Sequence, residues 1–184
     1  MKTKRSIICI LACALCLTAP GLCGCADDKV LERPKDTDLE FWITDKVSEE
    51  ALKNHYRIPG FGCEMFFGKD YQPNEINGEN SEIEPDHCVV YTVTAYPDYS
   101  SNNGHIDTVT HIKITDPNVS IYGVTCNSTF DEFDAVFKDL GCKIEDRGTF
   151  HLATYGKTSV SFVDSTVKSI SISVEVTNKD GIDF

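Results

Sequence analysis

Apolar residues recur at helical spacing between residues 128 and 141. They lie at i, i+3, i+7 and i+10, on one side of a helix: Phe130, Phe133, Phe137 and Leu140. Ser128 and Asp131 have the spacing of a capping box, and Gly141 is typical of the residue that follows a helix. The pattern predicts a helix between Ser128 and Gly141 whose phenylalanines pack in the core.

A second helical pattern precedes it in residues 44–56. The side chains that would share one face of that helix are Val47, Ala51, Leu52, His55 and Tyr56. Pro59 and Gly60 would then end it. The sequence therefore predicts a helix near the start of the folded part of the chain.

Alternation of apolar and polar residues predicts strands in much of the remaining chain. In residues 107–115 it places Thr110, Ile112 and Ile114 on one face. In residues 168–176 it places Ile170, Ile172, Val174 and Val176 on one face, against serines on the other. Further strands are predicted at residues 62–71, 87–96, 119–125, 149–156 and 158–164.

An internal repeat follows from two of these strands. Residues 107–115 and 165–173 share the pattern x-T-V-x-x-I-x-I-x. Common strand composition would explain the match, but the order of the elements also agrees, which favours duplication. We therefore expect an α+β fold, a duplicated helix followed by a three-stranded antiparallel sheet, with repeats in residues 41–118 and 119–184. One continuous sheet is compatible with it.

The chain begins with a segment of the secretory type. Lys2, Lys4 and Arg5 precede an apolar run of 11 residues, Ile7–Leu17. Because a membrane-spanning helix needs about 20 apolar residues, this run is too short for a permanent span. The pattern predicts a signal peptide over residues 1–24.

Leu22, Cys23, Gly24 and Cys25 follow the apolar run. This stretch resembles the lipobox of bacterial lipoproteins, in which a leucine and a small residue precede an invariant cysteine. The resemblance implies cleavage after Gly24, a diacylglyceryl group with acyl chains such as palmitate on Cys25, and an extracytoplasmic place at the cell membrane. Two acyl chains suffice for stable anchoring. Ordinary signal cleavage, which leaves an unmodified thiol, is the alternative.

Charge and composition then describe the part that remains. Residues 26–39 are charged, contain Pro34 and show no apolar period, so residues 25–40 are predicted to be a lipidated cysteine and tether. Removing 24 of 184 residues leaves 160, and the loss of three basic residues changes the formal charge from −12 to −15. Such acidity disfavours nucleic acid and anionic lipid as partners, so we expect the domain to stand away from the membrane.

Four cysteines follow Cys25: Cys63, Cys88, Cys126 and Cys142. An even number outside the cytoplasm permits two disulfides in three connectivities. Four buried thiols are the alternative. The spacing of the cysteines does not match a zinc site, and no cofactor motif occurs in the sequence, so neither a metal nor a cofactor is expected.

The predicted order of elements resembles known secreted proteins. A tandem of helix and three-stranded sheet is similar to the β-lactamase inhibitor protein fold and to the domain of small outer-membrane assembly lipoproteins. Short lipoproteins of Gram-positive bacteria carry similar positions, which here are Ser128, Glu132, Val136, Leu140, Gly141, Ser161, Phe162, Val167, Ser169, Ile170 and Ile172. The resemblance spans residues 41–176; it implies the fold and leaves the function open.

Two neighbouring stretches contain groups with chemical potential. Asp86, His87 and Cys88 place a carboxylate, an imidazole and a thiol in a row, but successive side chains of a strand point to opposite faces. The acidic segment before them carries carboxylates of the kind that bind Ca²⁺: Glu75, Glu79, Glu82, Glu84 and Asp86. It lacks the order of an EF-hand, so a solvated loop is the simpler interpretation. No catalytic residue is predicted.

Tyrosines are the candidates for contact with a partner: Tyr91, Tyr96, Tyr99, Tyr122 and Tyr155. Their packing in the core is the alternative. The sequence favours a non-enzymatic, lipid-anchored protein-interaction module of the bacterial envelope, which binds an envelope or secreted protein. A small hydrolase or thiol-dependent enzyme using Cys63 or Cys88, and a cation- or glycan-binding module using the acidic segment, are the alternatives.

Overall fold

The computed structural model describes residues 28–59, 63–71, 87–96 and 106–175, which contain nine strands and two short helices. The strands are β1 (Lys46–Val47), β2 (Arg57–Pro59), β3 (Cys63–Phe67), β4 (Val89–Tyr96), β5 (Ile106–Ile114), β6 (Lys143–Asp146), β7 (Phe150–Tyr155), β8 (Thr158–Val163) and β9 (Ser169–Val174). The helices are α1 (Glu49–Leu52) and α2 (Phe130–Asp139). Neither has the length and apolar character of a membrane span.

The nine strands form one antiparallel sheet. Eight of them follow the order β2-β3-β4-β5-β9-β8-β7-β6, and β1 pairs with β5. β5 joins the two halves of the chain, because it pairs with β4 along one edge and with β1 and β9 along the other. Ile112 lies opposite Ile172 at this junction. The sheet is therefore continuous across the described part of the chain.

The predicted duplication of a helix and a three-stranded sheet is wrong, because the fold is a β-rich nine-stranded sheet. The first predicted helix is reduced to α1, a single turn of four residues. Val47 and Leu52, two residues of its predicted face, are both buried but belong to β1 and α1. The apolar spacing that predicted a helix therefore comes from residues that two different elements bury.

The two similar stretches of sequence are neighbours rather than copies. The first forms most of β5, and the second forms the turn before β9 and most of β9; the two strands are hydrogen-bonded to each other in the middle of the sheet. Each of these strands has a partner along both edges and buries isoleucines on one face. Such an environment favours β-branched side chains, and it accounts for the common pattern without duplication.

A β-bulge changes which residues of β5 face the core. Thr92 lies opposite His111 and Val93 opposite Val109, which leaves Thr110 as an extra residue. The bulge shifts the alternation by one position. Val109, rather than the predicted Thr110, is therefore fully buried.

Helix α2 confirms the predicted helix and corrects its start. Phe133 and Phe137 are fully buried against the sheet. The N-cap is Thr129 rather than Ser128: its hydroxyl accepts from the N–H of Glu132, and the Glu132 carboxylate accepts from the N–H of Thr129. The pair has the T-x-x-E spacing, in which the glutamate is long enough to reach back to the cap.

A tight turn replaces the strand predicted at residues 119–125. Ile121 and Val124 form an isolated bridge in which each N–H donates to the other carbonyl at 2.9 Å. Between them Tyr122 and Gly123 have φ values of 51° and 84°. Two successive positive φ angles are those of a type I′ turn, which reverses the chain too sharply for a strand to form.

Residues 28–40, which belong to the predicted tether, pack against the rest of the fold. Leu31 and Leu39 are only 5% and 2% exposed. The N–H of Leu31 donates to Oγ1 of Thr158 at 3.0 Å, and the carbonyl of Leu31 accepts from the indole N–H of Trp42 at 2.9 Å. Buried apolar surface and paired backbone groups together hold the segment in the fold.

Candidate functional site

A groove of about 810 Å³ opens between residues 29–36 and helix α2. We call it the α2 groove. Residues 29–36 form its first wall, and its second wall consists of Tyr122, Gly123, Val136, Asp139, Leu140 and Tyr155. Because the two walls are far apart in sequence, the groove exists only in the folded chain.

Contacts to the turn between β7 and β8 hold the first wall. The N–H of Lys157 donates to the carbonyl of Lys29 at 2.9 Å. The Lys157 ammonium lies 2.5 Å from the carboxylate of Asp28, and its hydrogen bond and charge lower the pKa of that carboxyl. Farther along, the guanidinium of Arg33 donates to the carbonyl of Leu39. These contacts join one end of the wall to the turn before β8 and its other end to the residues that follow the wall in the chain.

Tyr122 connects the two walls. Its hydroxyl donates to the carbonyl of Glu32 in the first wall. Its ring packs edge-on against Trp42 and against Phe137 of α2, with centroid distances of 6.2 and 5.9 Å. Burial, and then the nearby Cys142 and Glu32, raise the pKa of the hydroxyl. The phenol therefore stays protonated at neutral pH and keeps its hydrogen bond.

Helix α2 has apolar side chains that pack against the core but are only partly covered by it. Val136 and Leu140 lie four residues apart, on one face of the helix, and both are only half-buried. The ring of Tyr155 lies beside the end of the helix, where a Cβ on Gly141 would come within 3.9 Å of it. Asp139 is exposed at the rim. The second wall is therefore apolar at its centre and polar at its edge, as protein-binding surfaces are.

Charges along the α2 groove balance. The lining contains three basic and three acidic side chains: Lys29, Arg33, Lys35, Glu32, Asp36 and Asp139. The whole chain, in contrast, has a formal charge of −12. The groove is thus a locally neutral part of an acidic protein, and apolar contact rather than charge would dominate binding there.

Two of the five tyrosines predicted to contact a partner line this groove, namely Tyr122 and Tyr155. Tyr91 does not qualify, because it is 1% exposed and its ring stacks on Phe66 in the core. The backbone of Tyr96 ends β4, but its side chain lies outside the described structure, as does all of Tyr99. Tyr91 therefore packs in the core, which was the alternative role for all five tyrosines.

The strand register separates two of the four cysteines. Cys63 lies opposite Thr94 in β4, whereas Cys88 precedes β4, six residues earlier in the chain. Six strand residues span roughly 20 Å, and a disulfide needs Cα atoms within about 7 Å. A Cys63–Cys88 bridge is excluded, and no two cysteines of the described ranges are joined in a disulfide.

Burial disfavours thiolate formation at Cys126 and Cys142. It raises the pKa of both Cys126 and Cys142, and the Cys126 sulfur lies 3.3 Å from the carbonyl of Ile114. Cys88 is buried, whereas His87 is exposed. The thiol and the imidazole are therefore not placed as a nucleophile and its base.

Two buried histidines are paired with carboxylates. Nε2 of His55 lies 3.0 Å from Oε2 of Glu40. Nδ1 of His151 lies 2.7 Å from Oδ1 of Asp134, and its Nε2 lies 3.5 Å from Oδ1 of Asp146. The second group joins β7 to α2 and β6, and neither histidine lines the α2 groove. Both pairs therefore serve to connect elements of the fold.

A smaller cavity of about 280 Å³ lies at the other end of β8 and β9. Its lining includes His87, Thr115, Cys126, Thr166 and Lys168. The lining mixes polar and apolar side chains, and within the described ranges no group of three or more His, Cys, Asp or Glu side chains is placed to hold a metal ion. This cavity offers no arrangement of reactive groups.

Several predicted residues lie outside the described ranges. They are Cys25 and the carboxylates of the acidic segment, Glu75, Glu79, Glu82, Glu84 and Asp86. The lipid anchor and the cation-binding alternative stay predictions.

The first wall of the groove is the part of the site that the sequence did not reveal. Leu31 was its main signal, as an isolated leucine in a charged stretch. Comparison of the chain with protein-family models, curated proteins and solved structures finds no match. In particular, the β-rich fold has nothing specific to the β-lactamase inhibitor protein.

Proposed function

We propose that this chain is a lipid-anchored, extracytoplasmic protein of the bacterial envelope that binds a partner protein in the α2 groove and has no catalytic activity. The lipid anchor rests on Leu22–Cys25 of the sequence. The binding role rests on one observation: Val136, Leu140 and Tyr155 present half-buried apolar surface in a groove with polar rims. A partner segment that covers them would remove this surface from water.

The composition of the groove favours a protein over a small molecule. Tyr122 and Tyr155 supply rigid rings that lose little conformational entropy when they are covered. The groove lining mixes charged, polar and apolar side chains, whereas small-molecule sites are mostly apolar. A segment of a partner with apolar side chains between polar ones is the ligand that these walls fit.

Photocrosslinking in the producing cells tests the binding site. A photoreactive residue at Asp139, exposed at the rim, is expected to give a discrete crosslinked product. The same residue at Lys113, exposed on the opposite face of the sheet, serves as the control and should give none. Identical products at both positions, or none at Asp139, would overturn the proposed site.

A pair of substitutions tests the apolar contact. Leu140→Gln places a polar group in the groove, and Leu152→Gln places one at a half-buried leucine of β7 outside the groove. The first is expected to reduce the Asp139 product several-fold and the second to leave it unchanged. Labelling with palmitate, with Cys25→Ala as the control, tests the lipid anchor separately.

A further inference from the structure

Few residues separate Cys25 from Lys29, where the backbone is hydrogen-bonded to the rest of the protein. The chain is bonded to the rest of the protein from Lys29 onward, where the carbonyl of Lys29 accepts from the N–H of Lys157 at 2.9 Å. Leu31, two residues later, is bonded to Thr158 and buried. The four residues from Cys25 to Lys29 can span at most about 14 Å.

This distance is smaller than the protein itself. A domain of the 160 residues that follow the predicted signal peptide has a radius of gyration of about 15 Å, and a compact body of that size is about 40 Å across. A body held by a connection shorter than its own radius cannot turn its far side toward the point of attachment. The position of Lys29 therefore decides which end faces that point.

Lys29 lies at the end of the sheet that carries the α2 groove. We call this the anchor end; it comprises Asp28, Lys29, the turn before β8 and Glu175, whose N–H donates to the carbonyl of Lys157 at 2.9 Å. Lys29 and Tyr155 both line the groove. The opposite end is the turn between β8 and β9, which includes Thr166, and the length of β9, roughly 17 Å, separates the two ends.

We propose that the lipid on Cys25 holds the anchor end against the bilayer, so that the α2 groove faces the headgroups. This rests on the proposed lipid anchor. The balanced charge of the groove lining agrees with it, because a neutral groove is repelled less than an acidic surface when it approaches anionic lipid. The partner protein proposed for the α2 groove therefore binds next to the headgroups.

Fluorescence quenching on vesicles tests the orientation. The full, lipidated protein carries a fluorescent amino acid at Glu175 or at Thr166, both exposed and at opposite ends of β9. The vesicles contain phosphatidylethanolamine, phosphatidylglycerol and a lipid with a nitroxide on its headgroup. Quenching is expected to be several-fold stronger at position 175 than at position 166.

A lengthened variant provides the matched control. A flexible Gly-Ser insertion of about 20 residues between Asp27 and Asp28 gives a reach of about 25 Å and should make the two positions quench alike. Equal quenching in the unextended, vesicle-bound protein would overturn the orientation and leave the lipid anchor intact. Failure of both proteins to bind vesicles would overturn the anchor, and the orientation with it.

Discussion

The imidazole of His55 and the carboxylate of Glu40 meet at 3.0 Å, and this pair fastens the chain after α1 to the N-terminal segment. The His55 side chain is 3% exposed, and its Nδ1 has no hydrogen-bond partner among the residues that the structure describes. The rings of Phe41 and Phe66 lie 6.0 and 5.5 Å from it, centroid to centroid. Glu40 thus supplies the hydrogen bond of an imidazole that is otherwise surrounded by aromatic rings.

Glu40→Ala is expected to lower the free energy of unfolding by about 1–3 kcal/mol, because it leaves a buried polar ring without its partner. His55→Phe should lower it less, since the carboxylate of Glu40 is 31% exposed and water can hydrate it. Urea unfolding followed by the fluorescence of Trp42, the one tryptophan of the chain, measures both. A greater loss for His55→Phe than for Glu40→Ala would contradict this interpretation.

Thr129→Ala should cost about 1 kcal/mol of stability, because it removes the acceptor for the N–H of Glu132 at the start of α2. Ser128→Ala is the matched control at the neighbouring position. The hydroxyl of Ser128 only accepts from the N–H of Thr125 at 3.2 Å, so a smaller loss is expected. Thermal unfolding of both variants compares them; equal losses would mean that the helix does not depend on Thr129 as its cap.

Tyr91 links stability to alkaline pH. Burial raises the pKa of its hydroxyl from 10.0 to about 12. The folded protein therefore holds this proton more tightly than the unfolded chain. The contribution of Tyr91 to the free energy of unfolding is fully present below pH 10 and is lost as the pH rises toward 12. Urea titrations across this range should show the decline.

Tyr91→Phe is expected to make that decline shallower. Tyr122, whose pKa is also raised, should preserve part of it. At neutral pH the variant should lose about 1 kcal/mol, because the N–H of Glu40 donates to the Tyr91 hydroxyl at 3.0 Å and loses this acceptor. An unchanged slope between pH 10 and 12 would show that Tyr91 does not carry the effect.

Thr158→Val tests how the N-terminal segment is held. The substitution conserves the side-chain shape but removes the oxygen that accepts from the N–H of Leu31 at 3.0 Å. A loss of about 1–3 kcal/mol is expected, because the amide is buried. Amide hydrogen exchange should quicken most at residues 29–31. Thr154→Val, a half-exposed threonine of β7, is the control and should leave exchange at those residues unchanged.

Local patterns predicted part of the local structure. Phe133 and Phe137 of α2 are fully buried as their spacing indicates, and the alternating isoleucines of β5 and β9 face the core. The cap was displaced by one residue because Ser128 and Thr129 both precede an acidic residue by three positions. Only the longer side chain of Glu132 closes the capping box. Such errors arise where two local solutions compete.

The pairing of strands and segments that are distant in sequence could not be predicted from the local patterns. Periodicity describes the faces of β5 and β9 but contains no information that Ile112 lies opposite Ile172, and this pairing turns two supposed repeats into one sheet. The first wall of the groove is a similar case. The backbone groups of Leu31 are bonded to Thr158, 127 residues away, and to Trp42, 11 residues away. No local pattern in the sequence indicates either contact.

The bond between Leu31 and Thr158 connects positions that are 127 residues apart. A chain that is made from its amino terminus therefore synthesises Leu31 long before its hydrogen-bond partner, and contacts of such separation form slowly. Once β8 has been synthesised, the hydroxyl of Thr158 can accept from the N–H of Leu31, and residues 29–31 join the fold.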